Sequence, residues 1–131
     1  MASTLDDAAR RLLDGRNFAT VATLDPDGSP HTSVVWYVRD GDDLLFSTQS
    51  TRRKARNLAR DPRVALSVYD LANPYEAVDI RGEAELSVDE DRALPQRLTQ
   101  RYLNQDARPE PPEIVRLIVR IHPRKVTTFS A

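Results

Sequence analysis

The 131-residue sequence predicts a mainly β protein with inserted α-helices. It predicts six or seven mostly antiparallel strands and about three helices, closed or partly closed into a barrel. Three observations carry this. Short apolar stretches rich in Val, Ile, Thr and aromatic residues recur at regular spacing. Turn-forming clusters separate them, among them Asp25-Pro26-Asp27-Gly28-Ser29-Pro30 and Asp40-Gly41-Asp42. From 78 to 86, Val78, Ile80, Gly82, Ala84 and Leu86 alternate with Asp79, Arg81, Glu83 and Glu85, which leaves one face polar.

The elements follow in order. A short helix spans 4–14: Ser3 or Thr4 caps it, Asp6 and Asp7 suit its positive end, and Gly15 ends it. Leu5, Ala8, Ala9, Leu12 and Leu13 form its apolar stripe. Strands at 18–24, 32–38 and 44–48 form an antiparallel meander. A basic helix over about 51–60 is stopped by Asp61-Pro62. Strand 64–69 leads through a loop at 70–75 into the long alternating strand, where Gly82 marks a bulge or bend. A third helix, about 89–103, starts at Ser87 or Asp89 and buries Leu94, Leu98 and Leu103, with Pro95 tolerated only near its first turn. After a Pro-rich loop at 104–112, strand 114–121 is broken by Pro123, and 125–129 is a last strand. No repeat or low-complexity tract divides residues 1–131, so a single domain is expected.

Nineteen basic and twenty acidic residues nearly cancel, which argues against non-specific binding to nucleic acid or membrane. The absence of cysteine excludes disulfides, thiolate metal sites and cysteine nucleophiles, and fits a cytoplasmic protein. The opening MASTLDDAARRLLDG lacks the apolar core of a signal peptide, and no apolar run approaches the ~20 residues of a membrane span. A chain this small and polar is expected to bury more surface by pairing with a copy of itself. His31 and His122 are far apart and no metal-binding His/carboxylate spacing occurs, so no metal is expected. GxSxG, Walker and GxGxxG motifs are absent.

The stretch Ser50-Thr51-Arg52-Arg53-Lys54-Ala55-Arg56-Asn57 sets a problem. Ser50 or Thr51 can cap a helix, yet three cations crowd a first turn whose dipole disfavours each by ~0.3–1 kcal/mol. The stretch is either a solvated face or an anion site. Open N–H groups, a capping hydroxyl and Arg or Lys together form an anion site, and Ser47 and Thr48 add hydroxyls at the preceding strand end. Nucleic acid would want a larger basic surface with interleaved aromatics, so a single phosphate suits the patch better. Trp36 and Tyr37 face opposite sides of one strand, one to the core and one outward. Trp36 is either core or the wall of a ligand site or subunit interface, and Tyr75 is exposed or interfacial.

LLFSTQSTRRKARNLARDPRVALSV resembles the cofactor-binding segment of the pyridoxamine 5′-phosphate oxidase-like flavin and deazaflavin enzymes. The shared pattern is a strand ending in Phe46, Ser47 and Thr48, then Arg53-Lys54, a helix, Asp61-Pro62, and a strand from Val64 to Tyr69. FATVATLDPDGSPHTSVVWYV is similar to the family's first hairpin. The resemblance implies a split β-barrel homodimer with two cofactor sites at the dimer interface. Arg52-Arg53-Lys54-Ala55-Arg56-Asn57-Leu58 is similar to the deazaflavin (coenzyme F420)-dependent branch. That likeness implies hydride transfer from reduced F420 to a small conjugated acceptor such as an enone, a quinone or a tetrapyrrole-like compound.

The same resemblance assigns Arg52, Arg53 and Lys54 to the cofactor phosphate, and Ser47 and Thr48 to the ribityl-phosphate end. It sets His31, Ser33, Val34 and Trp36 beside the ring, puts Asn57 in the cofactor-binding set, and has Tyr75 reach in from the other subunit. It names no catalytic residue; Tyr75, His31 or water remains as proton source. Two departures turn the expectation away from pyridoxamine phosphate oxidation. The sequence ends soon after Phe129, without a C-terminal substrate segment, and Phe46-Ser47 replaces a Phe-Tyr pair. The alternatives are an FMN-dependent oxidase or flavin reductase of the same superfamily, and a non-catalytic module that binds F420, haem or another small ligand.

Overall fold

The structure is a computed structural model and describes residues 5–130. Seven strands form one antiparallel sheet in the order β2-β1-β5-β6-β7-β4-β3. They are β1 (Ala19–Leu24), β2 (Pro30–Val35), β3 (Val38–Asp40), β4 (Asp43–Gln49), β5 (Arg63–Asp70), β6 (Asn73–Val88) and β7 (Arg116–Ser130). Among the described residues there are three helices, α1 (Asp7–Asp14), α2 (Arg53–Arg60) and α3 (Ala93–Leu103).

The order of the sheet explains how it closes. β2 and β3 lie at opposite edges, yet only Trp36 and Tyr37 separate them along the chain. The three peptide steps between Val35 and Val38 reach no more than about 11 Å, so the sheet must curl until its edges meet. No ladder joins β2 to β4 across that seam, and the barrel is split there. Leu44, Phe46, Val68, Val78, Ile80, Val119 and Ile121 fill the interior, and Leu5, Ala9 and Leu13 join them from α1 and the residues before it. A second cluster lies outside the barrel wall, where α3 sets Leu94 and Leu98 against Val38 and Leu45.

Several local expectations change. The expected strand over 32–38 is two strands. Between them, the Tyr37 N–H donates to the Tyr102 hydroxyl (3.3 Å) instead of joining a ladder. Tyr37 is the inward residue of the pair and Trp36 stays half-buried. Asp6, not Ser3 or Thr4, caps α1 by accepting from the Ala9 N–H at 2.8 Å; Ser3 and Thr4 lie outside the described residues. The loop at 70–75 shrinks to Leu71 and Ala72, because the Asp70 carboxylate accepts from the Ala72 N–H and holds a tight turn.

α3 begins at Ala93, later than expected, with the Asp89 carboxylate accepting from the N–H groups of Ala93 and Leu94. Leu103 is exposed, and Tyr102 packs inward in its place. β7 begins at Arg116 and runs unbroken through Pro123. Pro123 stands opposite Gly82, where the register slips, and a bulge tolerates a residue without an N–H. A Cβ on Gly82 would lie 2.2 Å from the His122 carbonyl oxygen, so only glycine fits.

Arg101 clamps α3 to α1. Its guanidinium donates to the carbonyls of Leu13, Asp14 and Gly15 at the end of α1, and to the Tyr37 carbonyl. A cation there satisfies carbonyls that a helix end leaves open and suits the negative end of its dipole.

Candidate cofactor site

The unpaired seam opens into a cleft of about 410 Å³. Val34, Val35 and Trp36 border it from β2 and the β2–β3 break, and Ser47, Thr48 and Gln49 border it from β4. In β4, Leu44 and Phe46 point into the barrel, so alternation turns Ser47 toward the α3 side with Leu45. Arg52 and Lys54 enter the cleft from the start of α2. Pro95, Leu98 and Thr99 of α3 and Arg116 of β7 complete the lining.

The site is electropositive. Arg52 is itself the N-cap of α2, in place of Ser50 or Thr51, and no side chain caps the helix. The first-turn N–H groups are therefore left for another acceptor. Among the described residues neither Arg52 nor Lys54 forms an ion pair, whereas Arg116 is held by Glu110 at 2.8 and 3.2 Å. Burial, and then the neighbouring Arg52 charge, hold the Lys54 ammonium below the ordinary lysine pKa. Among the described residues, the buried polar atoms without a hydrogen-bond partner are His31 Nδ1, Ser33 Oγ and Ser47 Oγ. Unpaired cations, an uncapped helix start and a buried hydroxyl without a partner fit a phosphate-bearing ligand.

The sequence-derived set is divided by the structure. Val34, Trp36, Ser47, Thr48, Arg52 and Lys54 share the cleft. Arg53 lies round the helix in a separate depression with Arg56 and Arg60, 4.0 Å from the Asp25 carboxylate. Positions 53, 56 and 60 fall on one helical stripe and 54 does not. Asn57 is buried and donates to Thr23 Oγ1 (3.0 Å) and Asp25 Oδ1 (2.9 Å), which ties α2 to β1. Arg60 adds a bond to the Leu24 carbonyl. His31 and Ser33 lie on β2 opposite Thr23 and Val21 and do not line the cleft. Tyr75 is exposed near the start of β6, away from it.

Sequence reasoning passed over Gln49, Pro95, Thr99 and Arg116. Arg116 interrupts an otherwise apolar strand, which was a usable signal; the α3 residues carried none. Among the described residues no group of His, Asp or Glu could hold a metal ion, and no helix is long and apolar enough to cross a membrane.

Residues 5–130 match the family described as pyridoxamine 5′-phosphate oxidase. The chain belongs to that family. It is a family of flavin-binding oxidoreductases. An F420 reductase of known structure is 31% identical, with a TM-score of 0.86 over 94% of this chain and 98% of that one. A conserved hypothetical protein from Mycobacterium tuberculosis is 24% identical, with a TM-score of 0.78 over 98% of this chain and 86% of its own, and shares the fold. So does a putative pyridoxamine 5′-phosphate oxidase from Listeria innocua, at 18% identity and a TM-score of 0.73, over 95% and 98% of the two chains. The pyridoxine/pyridoxamine 5′-phosphate oxidase of Kineococcus radiotolerans is 39% identical over 69 residues. Those residues are 53% of this chain and 30% of that protein, so the match spans under a third of the oxidase.

Proposed function

We propose that this family member is an F420-dependent oxidoreductase that passes a hydride from reduced deazaflavin to a small conjugated organic acceptor. The observation that carries the reading is the F420 reductase, similar over nearly the whole of both chains at 31% identity. The electropositive cleft supports it independently. When bound, the deazaflavin supplies the hydride, and the chain supplies binding, orientation and exclusion of water.

In this reading Arg52, Lys54 and the open N–H groups of α2 hold the phosphate. An anion there offsets the cost of burying the Lys54 ammonium and draws its pKa back up. Ser47 Oγ gains the partner it lacks. Trp36 and Val34 flank the ring, and α3 shields it from solvent. Arg53 and Asn57 hold α2 in place instead of touching the phosphate. Lys54 is engaged with the phosphate and neither His31 nor Tyr75 lines the cleft, so water entering at the open side is the proton source we infer.

A homodimer belongs to the same proposal. Tyr69, Ala77 and Phe129 stand in one row across β5, β6 and β7, and both aromatic rings are exposed. Beside them, Thr20, Ala22, Ala65 and Ser67 line a shallow depression of about 520 Å³ together with Asp79, Arg81 and Lys125. Short side chains there leave room for a second copy, and the charged ones offer it ion pairs. FMN in the same cleft is a second reading, supported by membership of a flavin-binding family. The test is turnover. Reduced F420 mixed with the protein and an enone or quinone should return the absorbance of oxidised F420 faster than without protein. Turnover only with reduced FMN would transfer the role to FMN, and turnover with neither would remove the enzymatic reading.

A further inference from the structure

Three aromatic rings stand in a row beside the cleft. Phe18 stacks on Tyr102 with centroids 5.5 Å apart, and Tyr102 stacks on Trp36 at 5.1 Å with the planes 9° apart. Tyr102 thus covers one face of the indole, and Trp36 borders the cleft with what remains. Trp36 and Tyr37 have left β2 and have not yet joined β3, so no ladder holds either of them. The Tyr102 hydroxyl mends the gap. It accepts from the Tyr37 N–H at 3.3 Å and lies 2.6 Å from the Asn17 carbonyl oxygen, to which it donates. Arg101, one residue earlier, packs its guanidinium over the rings of both Tyr37 and Tyr102 and bonds the Tyr37 carbonyl.

We propose that Tyr102 is a positioning residue: by stacking on one face of Trp36 it fixes the indole as a platform for the flat ring that the functional reading sets beside it. Parallel rings in an offset row accept a further planar ring at the open end. The electropositive end of the same cleft holds the anionic part of that ligand. The proposal rests on the functional reading above, which supplies F420 and FMN as the flat anionic ligands to try. The role of Tyr102 is carried by its own geometry, and it reaches the ligand only through Trp36.

Trp36 is the only tryptophan in the sequence, so its emission reports on the platform directly. Tyr102→Leu removes the ring and Tyr102→Phe keeps it. In the free protein, Tyr102→Leu should shift Trp36 emission to the red and lower its anisotropy, while Tyr102→Phe stays near the parent. Titrated with F420 and FMN, Tyr102→Leu should bind about three- to tenfold more weakly. Inorganic phosphate, which meets only the cationic end, should bind equally well. Trp36→Leu should cost the same, and adding Tyr102→Leu to it should cost nothing further toward the ring.

Unchanged emission in Tyr102→Leu, equal loss of phosphate binding, or additive losses in the double variant would each overturn the proposal. Should Tyr102→Leu fail to fold, the parent still decides: F420 or FMN stacked on the platform should quench Trp36 emission and inorganic phosphate should not, and binding that leaves the emission unquenched would overturn the proposal. A parent protein that binds neither F420 nor FMN overturns the functional reading and the platform together. A parent that binds both as Tyr102→Leu does overturns the platform alone.

Discussion

Neighbouring residues on α2 have separate fates. Arg52 and Lys54 face the seam, and Arg53 faces Asp25 across a different depression. Arg52→Ala should weaken binding of a phosphate-bearing ligand by roughly 1.5–3 kcal/mol, the range for a charged hydrogen bond. Arg53→Ala should change it by less than about 0.5 kcal/mol, as for an exposed ion pair; parallel calorimetric titrations separate the two. Lys54 adds a pH signature. Its folded pKa lies below 10.5 because burial, then Arg52, disfavour the charge. Affinity for a phosphate ligand should therefore fall as pH rises through that lowered value, at lower pH than an ordinary lysine would cause. Folding responds in the opposite sense: between the lowered folded value and 10.5 the unfolded chain holds the extra proton, so stability rises with pH across that window. Affinity that stays flat up to pH 10.5 would remove Lys54 from the phosphate site. The sequence showed that cations gather at a helix start. Spacing puts 53, 56 and 60 on one stripe and 54 on another, but not which stripe faces the seam, because that is set by how Asn57 ties α2 to Thr23 and Asp25, more than 30 residues away.

The split barrel depends on a few irregular points in its elements. Gly82 is one, since any Cβ there meets the His122 carbonyl across the ladder. Gly82→Ala should destabilise by about 1–3 kcal/mol or more, because a strand backbone must shift to admit it; urea unfolding measures this. The bulge was legible in the sequence, as glycine interrupts an alternating strand. Its effect on Pro123 was not, because the extra residue is Arg124 of β7 itself, and a proline beside it falls where the ladder is already interrupted. The β2–β3 break was hidden for a related reason. Thr32 to Val38 reads as one apolar run, and the hydroxyl that replaces the missing ladder bond comes from Tyr102, 65 residues away. α3 illustrates the same limit: Leu94 and Leu98 were found by periodicity, but Tyr102 replaces Leu103 as the inward residue.

At the scale of the whole molecule, the antiparallel pairing and the three helices could be read from period and turn chemistry, whereas the total of seven strands agrees only because the division of 32–38 into β2 and β3 offsets the joining of 114–121 and 125–129 into β7. The cleft could not, because β2 and β4 never pair and meet only when the sheet curls. A 14.8 kDa chain with exposed Tyr69 and Phe129 in one sheet row should sediment as a dimer. Tyr69→Glu, which places a charge in that row, should shift it toward monomer in light scattering, whereas a monomeric parent would refute the proposed dimer. The central claim is that a phosphate-bearing deazaflavin occupies the seam between β2 and β4. A parallel titration of the parent chain and Lys54→Ala with F420 and with FMN tests it most directly. The parent should bind F420 more tightly than FMN, and Lys54→Ala should bind F420 about 10- to 150-fold more weakly, the equivalent of ~1.5–3 kcal/mol. Equal affinity of the parent and Lys54→Ala for F420 would contradict the claim.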